Sequence, residues 1–198
     1  FNIDKYEGAV VKGKQQFDNL ELARKKAKNT KWKAIEYLDK NLELFEKNFM
    51  ERGGKVVWAE NVQEALNAVL EICKKHKTKT VVKSKSMVTE ELHLNSFLAD
   101  NNIESIETDL GEYIQQLDGE PPYHIVTPAM HKSKEDIAAL FHDKLGVPPN
   151  LSPKELTLIA REKLRQKYIE AEVGITGGNF LIADIGAVCV TENEGNAR

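Results

Sequence analysis

Cysteine is nearly absent from this 198-residue chain: Cys73 and Cys189 stand far apart, and neither belongs to a Cys-x-x-Cys pair. No zinc or iron–sulfur ligand set is therefore expected in this segment, and a disulfide-stapled scaffold is excluded. Long apolar runs are missing as well. No stretch approaches the roughly 18 residues of a membrane span, and no signal-peptide pattern opens the chain. Neither sign of charge dominates: 28 basic and 31 acidic side chains give a net charge of −3. Residues 1–50 carry 11 basic and 8 acidic groups and the remainder 17 and 23. That asymmetry, +3 against −6, is too weak to argue for nucleic acid as a partner. With 41% hydrophobic residues, the composition is that of a globular protein, and the cytoplasm is the expected compartment. The chain opens on Phe1 and stops at Arg198 just after a strand-like stretch, so it reads as a piece of something longer.

What is present begins as helix. Trp32, Ile35, Leu38, Leu42, Phe45 and Phe49 recur every three or four residues, the stripe of one amphipathic helix, and Gly53-Gly54 ends it. From there strands and helices alternate. Val56 to Ala59 reads as a short buried strand, and Asn61 with Glu64 as a capping pair opening a helix through Cys73. Strands are expected from Thr80, over Ile103–Thr108 and over Tyr123–Thr127. Thr89 caps a helix to about Asp100, and Gly111–Leu117 forms a short one. Ser133 with Asp136 opens another helix. Ser152-Pro153-Lys154-Glu155 opens the next, with a cap, a first-turn proline and a carboxylate at the third position. Val173–Thr176, Phe180–Ala183 and Ala187–Val190 are short apolar runs, the closely spaced ones forming a hairpin. Such alternation implies βαβ crossovers. The expected fold is α/β, a mainly parallel sheet with helices on both faces, in which residues 1–54 form a helical arm and 55–198 the α/β domain.

Candidate sites follow from the strand ends, where open parallel sheets bind ligands. Gly8, Gly13 and Lys14 imitate a phosphate-binding loop, but Gln15 stands where the magnesium-binding hydroxyl belongs and no buried strand precedes it. Asn150-Leu151-Ser152 matches a glycosylation sequon that has no meaning without export. The stretch Lys83-Ser84-Lys85-Ser86-Met87-Val88-Thr89 is more informative. Strand alternation puts the two lysines on one side and Ser84 and Ser86 on the other, and the ammonium groups with three hydroxyls make an anion site; the plain alternative is solvated lysines. His131 follows the Tyr123–Thr127 strand and is read either as an anion or proton-transfer group or as a solvated helix-entry residue. His76, His93, His124 and His142 have no metal-ligand spacing. Glu107 and Asp109 are candidates for acid/base groups or magnesium ligands or, more simply, helix caps. Gly177, Gly178 and Asn179 mark a tight turn or a backbone approaching a ligand. Asp184, set among apolar residues, needs a partner, and a lysine of the 83–85 loop is the expected one.

Several stretches, taken in order, resemble the bacterial lactate utilization protein B family. They are Leu42-Glu43-Leu44-Phe45-Glu46 with Arg52-Gly53-Gly54-Lys55-Val56, Val81 through Glu91, Glu107 through Tyr113, and Gly119-Glu120-Pro121-Pro122. His124-Ile125-Val126, Pro128-Ala129, His131-Lys132, Gly174-Ile175-Thr176-Gly177 and Asn193-Glu194-Gly195-Asn196 follow. The similarity runs from about residue 40 to the end and, less sharply, through the arm. It implies a lactate utilization domain whose fold is similar to the coenzyme A transferase and ribose-5-phosphate isomerase group. It also implies electron transfer in the oxidation of L-lactate to pyruvate together with two companion proteins. Two [4Fe–4S] clusters are implied in a later, ferredoxin-like segment absent here. One departure stands out: where the family often has Glu-Thr-Gly, this chain has Asp184-Ile185-Gly186, which tells against any covalent glutamate chemistry. The resulting expectation is the non-cluster domain of an iron–sulfur electron-transfer subunit. Its ligand site is expected at Lys83, Ser84, Lys85, Ser86, Thr89, His131, Gly177, Gly178, Asn179 and Asp184. A self-sufficient enzyme on a phosphorylated or thioester metabolite, and a docking module, remain the open alternatives.

Overall fold

The computed structural model describes residues 2–123, 127–191, 195 and 197. Two compact units share the chain, residues 1–56 with 181–187 and residues 57–180 with 188–198.

The first unit holds three helices: α1 (Asn2–Lys14), α2 (Leu20–Glu36) and α3 (Leu38–Glu51). The phosphate-loop imitation lies inside α1 and forms no loop. Asn19 caps α2, its side-chain oxygen accepting from the Leu22 N–H at 2.9 Å. The stripe expected to run along one helix is broken at Tyr37, which ends α2 and precedes α3. Its first half stays in solvent, with Trp32 and Ile35 67% and 72% exposed, while Phe45 in the second half is buried and stacks on Phe49 at 5.2 Å. Residues 181–187 lie on α3. Asn48 donates from Nδ2 to the carbonyl oxygens of Ala183 (2.8 Å) and Asp184 (3.1 Å). Gly186 sits at φ +55° with its α-carbon against the Asn48–Phe49 backbone, a place that only glycine fills without strain.

The second unit carries α4 (Val62–Lys75), β1 (Thr80–Lys83), α5 (Met87–Glu91), α6 (Leu94–Asp100), β2 (Glu104–Glu107), α7 (Leu110–Asp118), α8 (Lys134–Leu145), α9 (Pro153–Glu170) and β3 (Val173–Ile175). The sheet order is β2-β1-β3, all parallel. Alternation along central β1 divides the core. Val81 faces Leu66, Leu70 and Cys73 of α4 with Leu94 and Leu98 of α6. Val82 faces Tyr113 and Ile114 of α7, Phe141 of α8 and Leu156, Ala160 and Leu164 of α9. Helices thus cover both faces, as α/β alternation requires. The glycine-separated runs after β3 form a two-stranded ladder, β4 (Phe180–Ile182) with β5 (Ala187–Cys189).

Local sequence rules hold where side chains act on adjacent backbone. Asn61 caps α4, and both capping boxes, Ser133 with Asp136 and Ser152 with Glu155, form. Residues 56–59 depart from expectation: they form no strand among the described residues, and Val57 and Trp58 are more than half exposed rather than buried. The helix expected over 89–100 is two, α5 and α6, divided at His93, whose φ of +53° interrupts the helical ladder. The expected strand 123–127 falls largely on residues 124–126, outside the described residues.

Candidate functional site

The site grows out of the carboxyl end of β1. Beyond Lys83 the ladder continues for one bond, the Ser84 N–H donating to the Ile175 carbonyl at 2.9 Å, and then the chain turns into α5. Ser84 Oγ donates to Thr176 Oγ1 at 2.7 Å, joining the loops that follow β1 and β3. Thr89 Oγ1 donates to the Ser86 carbonyl at 2.7 Å and fixes the turn. Gly177 approaches Ser86 so closely that a β-carbon there would lie 3.2 Å from Ser86 Oγ. Asn179 secures the far wall: its N–H donates to the Cys189 carbonyl, and its Oδ1 accepts from the Thr191 N–H at 2.7 Å.

These loops enclose a cleft of about 610 Å³. Ser84, Lys85, Ser86, Thr89, Gly177, Gly178 and Asn179, all named from the sequence, line it. Thr176, Thr191 and Asp109 line it too. Asp109 also caps α7, accepting from the Glu112 N–H at 3.1 Å. Among the described residues the cleft therefore offers hydroxyls, one ammonium group and one carboxylate, a mixture suited to a polar ligand bearing both acceptors and donors.

Three residues expected in the site are not among those lining the cleft. The Lys83 side chain is fully buried under the loop rather than beside Lys85. Strand alternation governs Lys83 but stops where β1 stops, so Lys85 follows the turn into the cleft. His131 is exposed, 3.4 Å from Glu120 and tilted against the Tyr123 ring at 4.7 Å, and is not among the cleft-lining residues. Asp184 lies in the 181–187 segment of the first unit and is exposed. The premise that burial would force it onto a lysine fails, since its side chain is solvated.

Lys83 instead anchors a buried polar cluster. Parallel register sets it beside Glu107 of β2, and its Nζ lies 2.8 Å from Glu107 Oε1, 3.0 Å from Glu90 Oε1 and 3.1 Å from Thr89 Oγ1. Burial alone would lower the ammonium pKa, but the charge and hydrogen bond of Glu107, with those of Glu90, outweigh it and hold the group above its ordinary value. Lys83 is therefore held in its protonated, cationic form. Asn95 Nδ2 donates to Glu107 Oε1 at 2.6 Å, and Gln116 Oε1 accepts from the Glu107 N–H at 3.0 Å. Burial, then the charge and hydrogen bond of Glu107, push the Glu112 carboxyl up to about 8 against the pull of Lys83. Glu112 thus holds its proton at neutral pH. Oε2 of Glu107 and Oε2 of Glu112 are both buried, and neither has a hydrogen-bond partner among the described residues. Sequence reading missed Glu90, Asn95 and Glu112. The signal for them was Lys83 itself, a lysine closing the apolar run Val81-Val82 of a central strand, which demands carboxylates around it.

No group of three or more metal-ligating side chains occurs among the described residues. Cys73 is buried and Cys189 half-buried, and two thiols cannot supply the four thiolates of an iron–sulfur cluster.

Comparison with known proteins bears on what this cleft serves. The LUD domain family profile matches residues 42–198. Lactate utilization protein B of Bacillus cytotoxicus is 44% identical over 187 residues, covering 94% of this chain and 40% of that protein. The protein of the same name from Bacillus licheniformis is 44% identical over 185 residues, 93% of this chain and 39% of its own length. The one from Bacillus thuringiensis is 41% identical over 187 residues, 94% and 40%. The chain therefore spans about 40% of the length of these relatives. No solved structure matches it significantly.

Proposed function

The chain belongs to the LUD domain family, and from that membership we propose that it serves lactate utilization, with the β1–β3 cleft as its ligand site. The role is that of the domain accompanying the clusters in an electron-transfer protein that works with two companion proteins in the cytoplasm. Oxidation of L-lactate to pyruvate releases two electrons and two protons. The proposal places the [4Fe–4S] clusters that receive electrons outside these 198 residues, because the residues present do not fit one. No helix among the described residues is long and apolar enough to cross a membrane.

The observation that supports the site is the meeting of two loops distant in sequence, 84–89 and 176–179, around Lys85 and a set of hydroxyls. In this reading Lys85 and the hydroxyls of Ser84, Ser86 and Thr176 hold a polar, anionic ligand. Lys83 is a positioning residue that reaches the cleft through Thr89. The test is Lys85→Ala with Ser86→Ala in the full-length protein, assayed with its companions for lactate-dependent reduction of an acceptor dye. A loss of about ten-fold or more, the cost of removing charge-assisted hydrogen bonds, is the expected result. Unchanged activity in a folded double variant would reject the site.

A further inference from the structure

The cleft does not end at Thr176. A narrower recess of about 140 Å³ shares Ser84 and Thr176 with it and continues to Thr108 and Tyr168. Those two residues also border a third recess, about 780 Å³, along α9. The three hollows are thus linked in turn by shared lining residues. The far one has a distinct chemistry. Arg161 and Arg165, four residues apart, stand on one stripe of α9 with Thr157, over an apolar floor that includes Leu110 and Leu164. Among the described residues neither arginine forms an ion pair, and no carboxylate lines the recess. Like charges at this helical spacing cost stability. Paired guanidinium groups recognise phosphate oxygens through two parallel N–H bonds, which lysine cannot reproduce.

Size points the same way. Lactate has six heavy atoms, and at roughly 30 Å³ for each water-sized group it would leave most of the 610 Å³ cleft unfilled. We infer that the ligand of this site is a nucleoside diphosphate or its ester, its phosphates held by Arg161 and Arg165 and the rest of the molecule lying over Thr108 into the cleft. Hydroxyls, the Asn179 amide, Lys85 and the Asp109 carboxylate there match the donors and acceptors of a sugar and a base. The inference rests on the cleft being a ligand site and adds its second anchor.

Calorimetric titration of the full-length protein with ADP tests it, with pyrophosphate and adenosine as the two halves of the probe. ADP is expected to bind in the micromolar to millimolar range, and Arg161→Ala with Arg165→Ala to weaken it ten-fold or more. Lysine at both positions should restore the charge but only part of the affinity. Loss in the arginine pair and in Lys85→Ala/Ser86→Ala alike supports one ligand spanning both anchors. Loss in the arginine pair alone supports the phosphate site and removes the cleft reading. Loss in the Lys85/Ser86 pair alone overturns the inference and leaves the cleft standing. Absence of ADP and pyrophosphate binding at millimolar concentration overturns it outright.

Discussion

At the scale of single residues the protein turns on a lysine and a proton. Lys83 Nζ is out of water among Glu107, Glu90 and Thr89, so removing it leaves buried carboxylates without a countercharge. Lys83→Met is expected to cost about 3–5 kcal/mol in urea unfolding, the penalty of breaking a buried ion pair from one side. Lys85→Ala, a half-buried group with no ion pair among the described residues, should change stability by less than about 0.5 kcal/mol. Glu112 sets a pH dependence of the opposite sense to most carboxylates. Its folded pKa of about 8 lies above the ordinary 4.5. Between those values the folded state binds the extra proton, and its contribution to stability is lost as pH rises through that window. Glu112→Gln keeps a donor toward Glu107 and removes the titration. The variant should be more stable than the wild type at pH 9 by about 1–3 kcal/mol, with a flatter stability profile from pH 6 to 9. A wild-type profile already flat over that range would show that the carboxyl does not hold its proton.

The sequence announced the lysine but misassigned its role, because partner choice is decided by tertiary neighbours. Register places Glu107 beside Lys83, and α5 supplies Glu90. No local spacing rule carries either fact. Asp184 fails for the mirror reason: apolar neighbours in sequence suggested burial, yet the turn that holds it exposes the side chain.

At the scale of elements, the capped helices and the strands with uninterrupted apolar runs were legible, since caps and periodicity act over a single turn or pleat. What was not legible was where an element stops. Trp32 and Phe45 share a periodicity, yet Tyr37 divides them between two helices. Val56-Val57-Trp58-Ala59 has a strand's composition, yet Val57 and Trp58 stay more than half exposed. The loops around the cleft were readable as a set because serines, lysines and glycines sit directly after expected strands. The α9 arginines were passed over because their stripe looks like any solvated helix face until the recess beside it is seen. Gly186 makes an element-scale prediction. Its positive φ and its contact with the Asn48–Phe49 backbone mean that Gly186→Ala should destabilise residues 181–187 on α3 by about 1–3 kcal/mol. Faster amide exchange at Asn48 and Phe49 would register it, and unchanged protection would count against that packing.

At the scale of the whole molecule, the α/β alternation fixes a central β1 whose carboxyl end gathers chemistry from both flanking strands, and the family match covers that part of the chain, residues 42–198. The claim on which the rest depends is that this gathering place is where the protein works. Chemical blocking tests it without altering the fold during synthesis. A full-length Ser86→Cys protein in a Cys189→Ser background, with buried Cys73 and the cluster-holding cysteines of the later segment retained, is assayed with its companions for lactate oxidation before and after maleimide modification at position 86, and the Cys189→Ser parent is treated in the same way. A parallel Lys163→Cys protein, labelled on exposed α9 outside the cleft, is the control. The account predicts that labelling at 86 abolishes lactate-dependent electron transfer while labelling at 163 leaves it intact; full activity in the completely modified Ser86→Cys protein would contradict it.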